Sequence, residues 1–389
     1  MHEENEQNVF EESELEFISL KEKADAKKKR RTKRIVITVG CWLILAVVFL
    51  LGVFQTVRLI GRNHLVSNAK SEGPDLTLSG LSSVITTDEG EGVWQKDWVK
   101  YDGQIYTYNK QIMTFLIMGI DKNSDVQKVA EGTDGGQADA LFLAVLNNED
   151  KTIKVIGINR NTMADVDIYG NDGNYVRTVK AQIAVQHGFG NGMEESCEYQ
   201  QSAVQKLLYN LPIHGYAAIN MSAISTINDA VGGVDVTVLE DLTIKDKSLI
   251  KGKKVHLMGE SAFWYVKYRD TTVFGSADMR LARQKQYLQN FIAAAKRTAK
   301  NDISSVMELY RAIMPQMVTN VSPDEIAYLA PMLTEYRFDE DGFYTMEGET
   351  VRGEQFEEFY PDEEALLRII LDVFYNEVDL EQGKLIRKD

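Results

Sequence analysis

Three short apolar stretches decide the fold: MTFLIMG at residues 113–119, ALFLAVL at residues 140–146 and TIKVIGI at residues 152–158. Each stretch has the length and the apolar character of a buried β-strand. Residues 147–150, between the second and third stretches, read NNED, which is typical of a turn. We therefore expect three buried strands, of which the last two form a hairpin.

Segments with other periodicities surround these strands. Helical spacing of apolar residues is present at 194–211, 223–231, 259–268, 277–299, 303–317, 323–335 and 362–378. Further strands are indicated at 100–108, where a hairpin turns at a glycine, at 215–221, at 234–238 and, as a pair, at 343–351. Strands and helices mix without strict alternation, so we predict an α/β chain of the α+β kind, with a mixed sheet covered by helices.

Composition narrows the class of protein. The 389 residues include 44% hydrophobic side chains, which is enough for one large core with appendages. The net charge of −15 argues against a nucleic-acid partner, because proteins that bind nucleic acids generally are basic. Cys41 lies in a long apolar run and Cys197 stands far from it, so we expect neither a disulfide framework nor a cysteine-based metal site.

The long apolar run covers residues 35–57 and contains no charged side chain. About 20 apolar residues are needed to span a bilayer as a helix, so this run predicts one transmembrane helix. Lysines and arginines crowd residues 27–34 just before it, which places the N-terminus in the cytoplasm. The alternative, a cleaved signal peptide, has a shorter apolar region followed by small residues, whereas residues 54–57 read FQTV.

These observations divide the chain into five parts. We expect a cytoplasmic tail at 1–34, a transmembrane signal-anchor at 35–57, a polar linker at 58–92, a large domain at 93–300 and a mostly helical extension at 301–389. The extension is expected to pack on the same domain. The chain is thus predicted to be a single-pass type II protein of the cell membrane, with most of its mass extracellular.

Two aspartates lie at the ends of the expected strands. Asp121 follows the first strand and Asp139 opens the second. If these strands are antiparallel neighbours, both carboxylates fall at one end of the sheet. Mg²⁺ is commonly held by one or two carboxylates together with water and substrate phosphate. The alternative is that both aspartates only cap turns.

Several cations could hold an anion. Arg160 follows the third strand between two asparagines, and arginine forms bidentate hydrogen bonds to phosphate oxygens. Four more cations fall close together in an otherwise acidic region: Lys267, Arg269, Arg280 and Arg283. The last two lie one turn apart near a helix N-terminus, where anions are favoured. The alternative is an ordinary solvated basic face. The five histidines show no metal-binding spacing.

Taken in order, these motifs resemble those of the LytR–CpsA–Psr family of bacterial cell-envelope enzymes, over residues 113–299 and the preceding anchor. The motifs that carry the resemblance are Gly119-Ile120-Asp121, Ala138-Asp139-Ala140-Leu141, Asn159-Arg160-Asn161-Thr162, Lys180-Ala181-Gln182, Gly232-Gly233-Val234-Asp235-Val236, Gly259-Glu260-Ser261-Ala262, Tyr265-Val266-Lys267-Tyr268-Arg269 and Arg280-Leu281-Ala282-Arg283-Gln284. No single motif is decisive, but the ordered set is specific.

The resemblance implies a Gram-positive phosphotransferase of cell-wall biogenesis. Such an enzyme takes an anionic glycopolymer from a polyprenyl-pyrophosphate carrier in the membrane and attaches it to peptidoglycan through a phosphodiester. It uses Mg²⁺ or Mn²⁺. The implied fold is a mixed sheet with helices that encloses an apolar slot for the polyprenyl chain. Residues 93–300 would then be the catalytic domain.

Carried over by position, the resemblance assigns roles to individual residues. Asp121 and Asp139 would bind the metal. Arg160 and Asp139 would be catalytic, with Asp139 as the candidate general base. The residues implied to hold the pyrophosphate are Arg160, Lys180, Lys267, Arg269, Arg280, Arg283 and Gln284.

The chain also departs from the family pattern. Asn161 stands where the family has aspartate after the arginine, so a carboxylate is missing beside Arg160. Lys267 replaces an arginine and loses bidentate geometry. Gln182 replaces an asparagine, and Asp278 lies one residue nearer to Arg280 than the pattern requires. Two alternatives therefore stay open, a non-catalytic envelope regulator that binds polyprenyl pyrophosphate and a pyrophosphatase that uses water as acceptor.

Overall fold

A computed structural model describes residues 55–56, 59–63, 65, 72–86, 94–95, 97–130, 134–170, 172–379 and 384–386. Nearly all of them belong to one compact unit, Ile60–Asp389. The predicted cytoplasmic tail and all but two residues of the predicted transmembrane segment lie outside the described residues, so both stay predictions. Among the described helices, none has the length and apolar character needed to cross a membrane.

The strands, in chain order, are β1 (Trp98–Tyr101), β2 (Gln104–Tyr108), β3 (Ile112–Ile120), β4 (Ala138–Asn147), β5 (Thr152–Ile158), β6 (Met163–Tyr169), β7 (Tyr175–Gln182), β8 (Gly215–Asn220), β9 (Val234–Thr237), β10 (Lys254–Leu257), β11 (Met317–Thr319), β12 (Phe343–Thr345), β13 (Gly348–Arg352), β14 (Glu357–Pro361), β15 (Tyr375–Asp379) and β16 (Lys384–Ile386). The α-helices are α1 (Glu194–Leu207), α2 (Ile224–Ala230), α3 (Glu260–Lys267), α4 (Ser276–Asn301), α5 (Ser304–Ile313), α6 (Pro323–Glu335) and α7 (Glu363–Phe374). Short 3₁₀ helices include Leu76–Ser79 and Ile183–Phe189.

A six-stranded mixed sheet forms the centre of the unit, in the order β11-β8-β3-β4-β5-β12. Strand β4 runs antiparallel to both β3 and β5, whereas β8 is parallel to β3 and β12 is parallel to β5. The three apolar stretches that were expected to be strands are therefore confirmed, as is their hairpin. The mixed sheet covered by helices is also confirmed.

Both faces of this sheet are buried, and strand β4 illustrates the consequence. Its residues 140–146 are all apolar. Leu141 and Leu143 are fully buried in the core that also contains residues of α1 and α7. Phe142, between them, points to the opposite face and packs with Leu281 of α4 and with Phe343. Successive side chains of a strand alternate between faces, so a strand covered on both sides has no polar face to show.

Residues 301–389 add strands to two sheets. Strands β11 and β12 are the two edges of the central sheet, and β15 pairs with β2 in a second sheet. The expected strand pair at 343–351 was wrong in its pairing, because β12 joins β5 and β13 pairs with β14 instead. The helix expected at 362–378 ends at Phe374, since the following residues pair with β2 as strand β15.

Part of the segment expected to be a linker packs on the folded unit. Leu76 is buried in the main core, and the backbone N–H of Asp75 donates to the carbonyl of Tyr209 across 2.6 Å. The Asp75 carboxylate caps the 3₁₀ helix that follows, and Ile85 forms a bridge with Lys100. The assignment of all of 58–92 to a free linker was therefore wrong for residues 72–86, because these carry apolar side chains that the core accepts.

Candidate active site

The two aspartates meet at one end of the central sheet. Since β3 and β4 are antiparallel, the end of β3 lies beside the beginning of β4, and the N–H of Asp121 donates to the carbonyl of Gln137 across 3.0 Å. Asp139 is almost fully buried there, whereas about half of the Asp121 side chain is exposed. The strand ends thus bring both carboxylates to the same edge, as expected from an antiparallel pair.

Asp139 is held between two arginines. Arg160 donates from Nη1 to Oδ1 of Asp139, and Arg280 donates from Nη1 to Oδ2 across 3.0 Å. A second nitrogen of Arg280 donates to the backbone carbonyl of Asp139 across 3.2 Å. With both oxygens engaged by guanidinium groups, Asp139 anchors two cations, and this geometry does not support its assignment as the general base.

Arg160 is presented by a tight turn after β5. The side chain of Asn159 accepts from the N–H of Asn161 across 2.8 Å, which is the geometry of an Asx turn. Thr162 closes the turn by donating from its N–H and its hydroxyl to the Asn159 carbonyl, across 3.0 and 2.6 Å. The turn is thus held by buried side chains, and it projects Arg160 toward Asp139 and toward Gln137, whose Oε1 lies 2.5 Å from Nη2.

Lys267 pairs with the other aspartate. It is the last residue of α3, and its Nζ lies 3.1 Å from Oδ1 of Asp121 and 3.0 Å from Oδ1 of Asn123. A lysine at this position keeps the positive charge that the family's arginine would supply. The ammonium reaches the Asp121 carboxylate, so the charge is balanced at this edge of the sheet.

Two buried guanidinium nitrogens have no hydrogen-bond partner in the described part of the protein, Nε of Arg160 and Nη1 of Arg269. Burial lowers the pKa of both arginines, and nearby Arg280 lowers each pKa further. Buried donors are normally satisfied, because an unmade hydrogen bond leaves the desolvation cost uncompensated. Crowded cations with free donors indicate a site for an anion.

Both arginines line a cavity of about 570 Å³. One wall is the turn after β5 and the loop after α3, and the opposite wall is the β13–β14 hairpin. The lining residues are Gln137, Arg160, Asn161, Gln182, Arg269, Thr271, Thr272, Phe274, Arg352, Gly353, Glu354, Gln355, Phe356 and Glu357. The contribution of the hairpin was missed from the sequence, since no motif joins residues 352–357 to those near 160.

Polar side chains lock the hairpin onto the site. Gln182, at the end of β7, donates from Nε2 to Oδ1 of Asn161 across 3.0 Å and to the backbone carbonyl of Glu357 across 2.7 Å. Asn161 donates to Oε2 of Glu357 across 3.4 Å, and the N–H of Phe359 donates to the Asn161 carbonyl across 2.9 Å. Gln182 and Asn161, two of the departures from the family pattern, therefore face one another and the hairpin.

Asp278 lies at the edge of the same region, in the first turn of α4. Its Oδ1 accepts from Asn159 Nδ2 across 2.5 Å, and its Oδ2 accepts from the Thr350 hydroxyl across 3.0 Å. Burial raises the pKa of this carboxyl. Asp278 thus ties the hairpin to the helix and to the turn after β5.

Two of the expected pyrophosphate ligands donate hydrogen bonds to other groups of the protein. Arg283 is 1% exposed, donates to Glu240 across 2.6 Å and also donates to the carbonyls of Tyr265 and Tyr268. Gln284 is buried and donates to the Val266 carbonyl across 3.3 Å. These bonds hold the end of α3 and the loop that leads to Arg269, and neither side chain lines the cavity, so the site geometry does not support their direct roles.

Lys180 also lies outside the group of side chains that line the cavity. Its Nζ pairs with Asp165 across 3.0 Å on the β6–β7 hairpin, its side chain is 67% exposed, and it does not line the cavity. Residues 175–182 form strand β7, so Lys180 lies near the end of a strand. The expectation that Lys180 holds the pyrophosphate therefore finds no support in the site geometry.

The described residues contain no group of three or more His, Cys, Asp or Glu side chains that could hold a metal. The donor chemistry of Asp121 and Asp139 nevertheless fits Mg²⁺, which takes one or two carboxylates and completes its shell with water and phosphate oxygens. Each carboxylate oxygen keeps a lone pair beyond its present ion pair. The pair fits a metal that arrives together with a phosphate ligand.

A family model and curated relatives match this chain. The LytR_cpsA_psr family model matches residues 83–367. A polyisoprenyl-teichoic acid–peptidoglycan teichoic acid transferase, TagU of Bacillus cereus, is 27% identical over 215 residues, which are 55% of this chain and 62% of the relative. The chain therefore spans less than two thirds of the length of this curated relative.

Solved structures show the same fold. Protein gbs0355 of Streptococcus agalactiae superposes with a TM-score of 0.55 at 22% identity, over 68% of this chain and 86% of that one. A structure of TagT bound to LI-WTA superposes with a TM-score of 0.51 at 20% identity, over 68% of this chain and 90% of that one. At these identities the likeness is one of fold.

Proposed function

Because this chain belongs to the LytR_cpsA_psr family, we propose that it transfers an anionic glycopolymer from a polyprenyl-pyrophosphate carrier to peptidoglycan through a phosphodiester. The observation that carries this proposal is the pair of unsatisfied guanidinium nitrogens, Arg160 Nε and Arg269 Nη1, in one cavity. A pyrophosphate would supply the acceptors that these donors lack. The names of the relatives support the choice of substrate.

The charges suit the bond that must break. A pyrophosphate resists nucleophilic attack because its negative charge repels the nucleophile. Fixed donors that face the place where charge develops lower this barrier, and they need no reorganisation during the reaction. Arg160 and Arg280 are held in place by Asp139, and Arg269 completes the set from the loop after α3. These residues would bind the pyrophosphate and orient it for in-line displacement.

Asp121 and Asp139 would hold Mg²⁺ or Mn²⁺ together with the pyrophosphate. When bound, the metal would supply further stabilisation of charge on the phosphoryl oxygens. In the absence of the metal, Lys267 neutralises Asp121 and the two arginines neutralise Asp139. These ion pairs hold both carboxylates at the same edge of the sheet.

The proposal extends to the location of the chain. The apolar run at 35–57 would anchor it in the cell membrane as a single-pass type II protein, with the folded unit on the extracellular side. The carrier lipid keeps its pyrophosphate at the membrane surface. Tethering both partners to one membrane raises their effective concentration without any new contact.

A transfer assay tests the proposal. The full chain in detergent or vesicles is mixed with a polyprenyl-pyrophosphate glycan, a peptidoglycan oligomer and Mg²⁺, and the coupled product is followed by mass spectrometry. We expect a product from the wild type and a loss of at least 100-fold in Arg160→Ala and Arg269→Ala. Binding without product would indicate a regulator, and release of phosphate without an acceptor would indicate a pyrophosphatase.

A further inference from the structure

A carboxylate from the β13–β14 hairpin enters the cavity. Glu357, the first residue of β14, lines it together with Arg160 and Arg269. We propose that Glu357 is the general base that takes the proton from the acceptor hydroxyl, an inference that rests on the proposed transfer reaction. It lies beside Asn161, so a distant segment supplies a carboxylate at the place where the local motif has lost one.

The carboxylate of Glu357 is positioned from three sides. Oε1 accepts from the N–H of Gly275 across 2.8 Å, and Oε2 lies 3.4 Å from Nδ2 of Asn161. The backbone carbonyl of Glu357 is held by Gln182. Gly275 has a left-handed backbone conformation with φ of 75°, which glycine adopts without strain and which directs its N–H at the carboxylate.

The other carboxylates near the cavity are placed differently, and of them only Glu354 lines it. Asp139 and Asp121 are engaged in ion pairs with arginines and a lysine. Asp278 does not line the cavity, and its two oxygens accept hydrogen bonds from Asn159 and Thr350. Glu354 is exposed at the tip of the hairpin. Glu357 is partly buried, faces the cavity and receives only amide hydrogen bonds, which leave lone pairs for an acceptor hydroxyl.

The charged groups around Glu357 come from three elements. Arg269, from the loop after α3, and Asp278, from α4, interact with it electrostatically. Arg352 lies opposite Glu357 on the paired strand and lines the same cavity. Two cations and one anion thus face this carboxylate.

The step balances as follows. The oxygen of the acceptor hydroxyl attacks the phosphorus that carries the glycan, and its proton passes to a carboxylate oxygen of Glu357. The bond between that phosphorus and the bridging oxygen breaks, so polyprenyl monophosphate leaves with the bonding electron pair. The product is a phosphodiester between glycan and acceptor. Glu357 then returns its proton to the leaving phosphate or to water.

The test compares Glu357→Gln, Glu357→Asp and the control Glu349→Gln, which removes an exposed carboxylate of the same hairpin that does not line the cavity. We expect Glu357→Gln to lower kcat by at least about 100-fold, as loss of a general base does, while affinity for the polyprenyl-pyrophosphate donor stays within about twofold. Glu357→Asp should recover part of kcat. The control should match the wild type.

The pH profile separates a base from a structural residue. In the wild type, kcat/KM should fall at low pH as Glu357 is protonated, and this acidic limb should be absent from the residual activity of Glu357→Gln. An equal kcat in the wild type and Glu357→Gln, or an unchanged acidic limb, overturns the base but leaves the transfer reaction standing. Failure of the wild type to transfer at all overturns both.

Discussion

Arg280 donates from Nη1 to Oδ2 of Asp139 across 3.0 Å, and both side chains are more than nine-tenths buried. Arg160 donates a hydrogen bond to the other oxygen of the same carboxylate. A single aspartate at the start of a central strand therefore balances two cations, of which Arg160 lines the cavity. This arrangement makes Asp139 a structural requirement of the site before any substrate arrives.

Replacement of Asp139 by asparagine should destabilise the fold. The change leaves Arg280 buried without its counter-charge, and breaking a buried ion pair from one side typically costs about 3–5 kcal/mol. Chemical denaturation, followed by far-UV circular dichroism, would measure the free energy of unfolding. Asp165→Asn is the matched control, because it breaks the exposed pair with Lys180 and should cost no more than about 1 kcal/mol. An equal effect of the two changes would refute the structural role of Asp139.

Arg269→Ala should weaken donor binding with little effect on stability. Its Nη1 has no hydrogen-bond partner among the described residues, so the protein loses no internal bond from that atom. A hydrogen bond to a charged group contributes about 1.5–3 kcal/mol, which predicts about a 10- to 100-fold loss of affinity for a short-chain polyprenyl pyrophosphate. Isothermal titration calorimetry would measure this affinity. Lys180→Ala, which removes a surface cation, should bind like the wild type.

Arg283→Gln should instead lower stability, with little direct effect on donor binding. Arg283 is buried and bonds Glu240 and two carbonyls at the end of α3, so its loss should lower the thermal midpoint. Loss of a buried charge partner leaves Glu240 unpaired, and a cost of about 3 kcal/mol is expected. Differential scanning fluorimetry would follow it. A stable variant with selectively weakened binding would instead restore Arg283 to the list of direct ligands.

Acidification should destabilise the protein through buried histidines. Burial lowers the pKa of His187 from 6.5 to about 4, and burial also lowers the pKa of His214 to about 4. Between these values the unfolded chain binds more protons than the folded one, so stability is full above pH 6.5 and falls as the pH drops toward 4. Each histidine contributes a slope of roughly 1.4 kcal/mol per pH unit within that window.

Denaturation at pH 7, 6 and 5 tests this dependence. The free energy of unfolding should fall with pH in the wild type, and His187→Asn should show a smaller fall. Asparagine can still donate to the Gly136 carbonyl, which lies 3.0 Å from Nδ1 of His187. A slope that is unchanged by this substitution would contradict the assignment of His187 as a buried neutral group.

Much of the fold could be predicted because local patterns carry it. Strands β3, β4 and β5 are mainly apolar, since both faces of the sheet are covered, and α6 follows Ser322, whose N–H donates to the Glu325 carboxylate across 2.7 Å. The partner of β12 could not be predicted. It pairs with β5, far away in the sequence, and a three-residue strand holds no information about which edge it joins.

The site was predicted in part for a similar reason. Asp121 and Asp139 could be placed together because one follows a strand and the other opens its antiparallel neighbour. Arg280 and Arg283 occupy similar positions in the sequence. Arg280 donates to Asp139, whereas Arg283 donates to the carbonyls of Tyr265 and Tyr268. Only the packing of α3 against α4 decides this. Glu357 reaches the cavity through long-range pairing, so no local motif could indicate it.

The central claim is that the cavity around Arg160 and Arg269 passes a glycan phosphate from one lipid pyrophosphate to a hydroxyl acceptor. Phosphorus-31 NMR of the reaction, with the purified full chain, donor, peptidoglycan oligomer and Mg²⁺, tests it most directly. We predict that the two pyrophosphate resonances give way to one phosphodiester and one phosphate monoester in equal amounts. Two monoesters, or pyrophosphate resonances that persist unchanged, would contradict the account.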